Sequence, residues 1–63
     1  MKPSDFGHLI RAKREAQGLS REKLAAVAGY SATTVQKAEM GKPVSAQTLA
    51  DLAQAVGLDA KKG

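Results

Sequence analysis

All four serines of this 63-residue chain are each followed, at the length of a short helix, by a glycine: Ser4 by Gly18, Ser20 by Gly29, Ser31 by Gly41 and Ser45 by Gly57. A serine hydroxyl can accept from an unpaired N–H in a helix's first turn, and glycine readily takes the left-handed conformation that closes a helix. A chain punctuated this way is confined to short helices joined by tight turns. The brackets predict helix one from a Ser4 cap to about Gln17, helix two over Arg21 to Ala28, helix three after Ser31 to about Met40, and helix four after Ser45 to about Val56. Aromatic residues are limited to Phe6 and Tyr30, alanine is abundant, and no segment alternates with a period of two. Strands are therefore not expected. The fold class read here is all-α: a compact bundle of four, or with the tail five, short helices.

Apolar residues recur at helical spacing inside the brackets. Leu49, Leu52, Ala53 and Val56 make an i, i+3, i+4, i+7 stripe. In helix one the stripe reads Phe6, Leu9, Ile10 and the stem of Lys13, and Phe6, Leu19, Leu24, Val44 and Leu52 are expected in the core. Tyr30 is expected to be partly buried with its hydroxyl in water, and His8 to be exposed. There is no internal repeat or linker, so residues 1–63 read as a single domain, with a polar tail over 58–63 expected to fray.

Several function classes are excluded at this stage. The chain has no cysteine and a single histidine, His8, so neither a disulfide framework nor a histidine–thiolate metal site is available, and no cofactor is expected. No apolar run approaches the roughly 20 residues of a membrane span, and no signal peptide is evident; a cytoplasmic protein is expected. No carboxylate pair, phosphate-binding loop or nucleophile with a nearby base is present, so an enzyme is not expected.

The net charge of +4 is localised. Residues 1–10 and 43–63 each sum to zero. Residues 11–42 carry seven Lys/Arg against Glu15, Glu22 and Glu39, and so hold the whole excess. A basic stretch of this kind is the electrostatic footprint of a polyanion partner, although many solvated faces look alike.

Helices two and three are joined by only Gly29, Tyr30 and Ser31. So short a connection makes the helices cross steeply. It requires a small residue at the crossing, met by Ala25, a sharp turn at Gly29, and inward anchors at Leu24, Ala28, Tyr30, Val35 and Ala38. The run Gly18-Leu19-Ser20-Arg21-Glu22-Lys23-Leu24-Ala25, followed by Gly29-Tyr30-Ser31, Val35 and Glu39-Met40-Gly41-Lys42, resembles the Cro/repressor-type helix-turn-helix family of phage and bacterial regulators. The resemblance extends over roughly residues 6–57, with the motif itself at about 20–40.

That resemblance implies a phage-repressor-like DNA-binding domain whose segment Ser31–Met40 enters the major groove. It implies base contacts from Ala32, Thr33, Gln36 and Lys37, with Thr34 a further candidate at the helix start. The chemistry is suitable: Lys37 can donate to guanine O6 and N7, Gln36 can pair with adenine, and Ala32 and the Thr33 methyl can meet a thymine methyl. Phosphate contacts are expected from Arg21, where the family usually has Gln, and from Ser31 and Lys42. Met40 stands where the family often has a polar residue and cannot donate to a phosphate. Arg14 and Glu39 match a recurrent family ion pair joining helix one to the end of helix three.

Two functions stay open on the sequence. The first is a sequence-specific double-stranded DNA-binding regulator, such as a transcriptional repressor, acting as a homodimer on DNA; the family's usual fifth helix is missing. The second is an antitoxin-like or other protein-interaction module on the same fold, which would need a large exposed apolar patch away from helix three. Leu9 and Leu58 are the only candidates seen for such a patch.

Overall fold

A computed structural model describes residues 3–58 of the protein, with side chains from Asp5 onward. Four helices follow one another: α1 (Pro3–Ala16), α2 (Arg21–Ala28), α3 (Ala32–Glu39) and α4 (Ala46–Ala55). No strand occurs among the described residues.

Three of the four serine caps form. The Oγ atoms of Ser20, Ser31 and Ser45 accept from the N–H groups of Lys23, Thr34 and Thr48 at 3.0, 3.2 and 3.0 Å. At the fourth position α1 already begins at Pro3, so Ser4 lies inside the first turn and not ahead of it. Proline suits that opening position: its φ is helical and the N–H it lacks would have had no partner there. Helices α1, α3 and α4 stop one residue short of the expected ends. Met40 and Val56 then serve as closing residues, with ψ near zero rather than helical. Beyond each of these helices, two N–H groups fold back on the last turn; after α3, Gly41 and Lys42 donate to the carbonyls of Ala38 and Lys37 at 3.2 and 2.9 Å. The α2–α3 turn hinges on Gly29, whose φ of 84° lets both its own N–H and that of Tyr30 reach the Ala25 carbonyl.

The core is built from Ile10, Leu24, Ala25, Val35, Ala38, Leu52, Ala53 and Val56, with all four helices contributing. Helix α3 packs on α1 and α2, and α4 packs mainly on α2. Phe6 and Val44 are half-buried at its margin rather than central, and Leu19 is half-buried as well. In α1 the inward stripe runs one position away from the expected one: Leu9 and Lys13 are exposed, and Arg14 turns inward with Ile10. Leu58 packs against the core and donates its N–H to the Ala53 carbonyl at 2.8 Å, so it is not part of a frayed tail. Residues 59–63, where the rest of the tail and any fifth helix would fall, lie outside the described residues.

Gly7 decides how closely α1 approaches α3. A Cβ there would sit 2.2 Å from the Ala38 carbonyl oxygen and 3.1 Å from the Glu39 Cα. Only a residue without a side chain permits this contact, and the contact brings Arg14, two turns further along α1, to the end of α3.

Polar ties complete the packing. The Gln17 side-chain amide donates to the Val56 carbonyl at 2.6 Å, joining the ends of α1 and α4. Tyr30 is partly buried, as expected from sequence, and its hydroxyl has a protein partner that was not expected: it donates to Asp51 Oδ2 on α4, whose Oδ1 accepts from Gln47 at 3.0 Å.

Candidate nucleic-acid interface

Helix α3 has two distinct faces. Val35, Ala38 and Glu39 are buried. Thr33, Gln36, Lys37 and Met40 are exposed together at i, i+3, i+4 and i+7 along the opposite face. Ala32 and Thr34, in the first turn, are half-buried. Thr34 belongs to the cap as much as to the surface: its N–H donates to Ser31 Oγ and its hydroxyl lies 3.1 Å from that atom. Ser31 therefore has a structural role within the turn. Lys42, just past α3, is exposed.

The inner end of α3 is held by charge. Glu39 is 4 % exposed and Arg14 7 %. Arg14 Nε donates to Glu39 Oε2 at 2.7 Å and its NH2 to Oε1 at 3.2 Å, while NH1 donates to the Leu19 carbonyl at 2.8 Å. The fork of the guanidinium is matched to both carboxylate oxygens, the strongest geometry such a pair can adopt. Glu39 has a second partner that was not expected from the sequence: Arg21, at the first position of α2, donates its Nε to Glu39 Oε1 at 3.1 Å. One buried carboxylate thus joins α1, α2 and α3. No buried side-chain nitrogen or oxygen among the described residues lacks a partner.

On the surface, Arg11 and Glu15 pair at 3.0 Å, one turn apart on α1. The hydrogen bond from Arg11 holds the Glu15 carboxyl below its ordinary value. Among the described residues, Glu15 and Glu39 are both met by arginine, whereas Lys13, Lys23, Lys37 and Lys42 are in no ion pair. The positive excess of residues 11–42 therefore stands on the exposed lysines and on Arg21, less the one charge of Glu22.

Between the start of α2 and the outer face of α3 lies an open cleft of about 550 Å³, bordered by Ser20, Arg21, Glu22, Ala32, Thr33 and Gln36, with Arg14 at its base. It brings together residues expected at bases with one expected at a phosphate. Lys42, at the far end of α3, does not border it. Among the described residues the exposed large apolar ones are Leu9, Val27 and Met40, on α1, on α2 and at the end of α3, and Leu58 is not one of them. Val27, 62 % exposed on α2, was not among the candidates named from the sequence. No group of three metal-ligating side chains occurs among the described residues, and no helix there is long and apolar enough to cross a membrane.

Two short helices joined by a sharp glycine turn, the second with a fixed inner face and a polar outer one, define a helix-turn-helix domain, the architecture in which a second helix is presented to the major groove of DNA. The protein belongs to the helix-turn-helix domain family, of Cro/repressor type: residues 5–62 match the family's profile, nearly the whole chain. A comparison with curated proteins found no match.

Proposed function

We propose that the protein is a transcriptional regulator, in its simplest form a repressor, that binds double-stranded DNA sequence-specifically with α3 in the major groove. The observation that carries this reading is the outer face of α3, where Thr33, Gln36 and Lys37 stand exposed side by side on a helix anchored from behind by Val35, Ala38 and Glu39. An eight-residue helix is about 12 Å long, comparable to the roughly 12 Å width of the groove. Lys37 reads guanine, Gln36 adenine, and the Thr33 methyl and Ala32 a thymine methyl. Thr34 supports the helix start and reaches the base edge or the adjoining sugar. Arg21, Ser31 and Lys42 fix the register on phosphates, which supply affinity without sequence information.

Residues 1–63 act as one domain in this reading, inside the cell where DNA is found. Two copies bind related half-sites about one helical turn apart. Binding, and not catalysis, is the activity.

Selection of bound sequences from a pool of random duplex DNA tests the proposal. Enrichment of a defined sequence is expected, with two-fold symmetry. Retention of the pool with no enriched sequence would overturn sequence-specific binding, and an enriched site without symmetry would overturn the dimer.

A further inference from the structure

We infer that Glu39 is a positioning residue for DNA: it holds the Arg21 guanidinium by its Nε so that the two terminal nitrogens fork a single backbone phosphate. The inference rests on the DNA-binding reading above and adds a mechanism to it.

The anchor comes first. The Glu39 side chain is 2 % exposed and that of its partner Arg14 is 9 %. Arg14 engages both Glu39 oxygens, so the carboxylate cannot swing with Arg21. Oxygen Oε1 nonetheless has room for a second donor and accepts from Arg21 Nε at 3.1 Å. The Arg21 side chain differs from that of Arg14 in being 39 % exposed, at the mouth of the cleft shared with Ser20, Ala32 and Gln36.

The guanidinium geometry then dictates what remains. Its five N–H groups lie in one plane. Once Nε is tied to a fixed carboxylate, the far edge carrying the two terminal nitrogens points away from Glu39, and that edge matches two phosphate oxygens. Among the described residues no hydrogen bond engages those terminal nitrogens. The charges agree with this division. Glu39 faces two arginines, and of these Arg21 is the exposed one; Glu22 also borders the cleft but forms no ion pair with Arg21. A tethered arginine also loses less conformational freedom on meeting a phosphate than a free one does. Lysine would carry the same charge but offer no edge.

The test measures binding to a random-sequence duplex over a range of salt concentrations, because such binding runs through phosphates and needs no known operator. Arg21→Gln is expected to weaken binding and to lower the salt slope by about one. Arg21→Lys should keep the slope and bind about threefold to tenfold more weakly, since a point charge replaces a fork. Glu39→Gln should keep the slope, weaken binding by a similar factor, and have no further effect in an Arg21→Gln background. Wild-type affinity in Arg21→Lys overturns the inference. So does an equal effect of Glu39→Gln with arginine or glutamine at position 21, which would mark Glu39 as a purely structural residue. If Glu39→Gln does not fold, the Arg21 Nε–H resonance of the free wild-type protein decides: a slowly exchanging signal supports the tether and a freely exchanging one overturns it. A wild-type protein with no salt-dependent affinity for duplex brings down the DNA-binding reading itself, whereas normal wild-type binding with unaltered Arg21 variants removes this inference alone.

Discussion

Gly7 meets the backbone of Ala38 with no space between them: a Cβ on Gly7 would lie 2.2 Å from the Ala38 carbonyl oxygen. Glycine inside a helix is unfavourable by about 1 kcal/mol relative to alanine, so the residue is present in α1 against its own propensity. What it permits is the approach of α1 to the end of α3, where Arg14 meets Glu39.

Gly7→Ala is therefore expected to destabilise the protein by about 1–3 kcal/mol, despite its better helix propensity, because backbone must move to admit the methyl group. Chemical denaturation of the two proteins checks this. A more stable Gly7→Ala variant would mean that α1 can withdraw from α3 without penalty.

Removing one partner of the buried Arg14–Glu39 pair leaves the other charged and unpaired, at a cost of about 3–5 kcal/mol. A chain of 63 residues, at roughly 0.05–0.15 kcal/mol per residue, has a total stability of the same order. Glu39→Ala is expected to be largely unfolded at room temperature by circular dichroism. The double variant Arg14→Met/Glu39→Met should be less destabilised than the two single variants summed, since no buried charge is left between those positions.

Tyr30 donates to the Asp51 carboxylate, and this bond raises the phenol above its ordinary value of 10.0, since ionised Tyr30 would lose the bond and face Asp51 with like charge. The folded state thus holds the Tyr30 proton more tightly than the unfolded state does. The stabilisation is complete below the unfolded value and is lost as pH rises through the higher folded one. Tyr30 is the chain's one tyrosine, and there is no tryptophan, so phenolate absorbance follows it without interference. Titration is expected at a higher pH than for a tyrosine peptide, and Asp51→Asn should bring it back towards that of the peptide.

On the selected DNA site, Lys37→Ala is expected to lose about 1–3 kcal/mol of binding free energy, with a much smaller loss on random duplex. Equal losses on both would make Lys37 a phosphate contact. Replacing Lys42 should instead weaken binding to both DNAs alike and lower the salt slope by about one. An unchanged slope would place Lys42 outside the interface.

The helix boundaries and the faces of α3 were legible in the sequence because they depend on neighbours. A serine cap needs only the N–H three residues on, and the Val35/Ala38 face against the Thr33/Gln36/Lys37 face follows from helical periodicity. The one misplaced cap, Ser4, shows the same locality: Pro3 immediately before it is an equally good helix start. In α1, by contrast, Leu9 and Ile10 fit two stripes one position apart, and periodicity could not choose between Lys13 and Arg14 as the inward residue. The choice depends on Glu39, which lies 25 residues away.

By itself, then, the amino-acid sequence determined four short helices, a glycine-hinged turn between the second and third, and a basic stretch over residues 11–42. Each of these follows from capping, conformational freedom or charge carried by residues close together in the chain. Only the tertiary structure decided that Gly7 is a contact point, that Tyr30 is tied to Asp51, and that Arg21 is bound to the same carboxylate as Arg14. A side chain's partner across the fold depends on how the helices stack, and a surface arginine on α2 carries no local mark of a carboxylate buried at the end of α3.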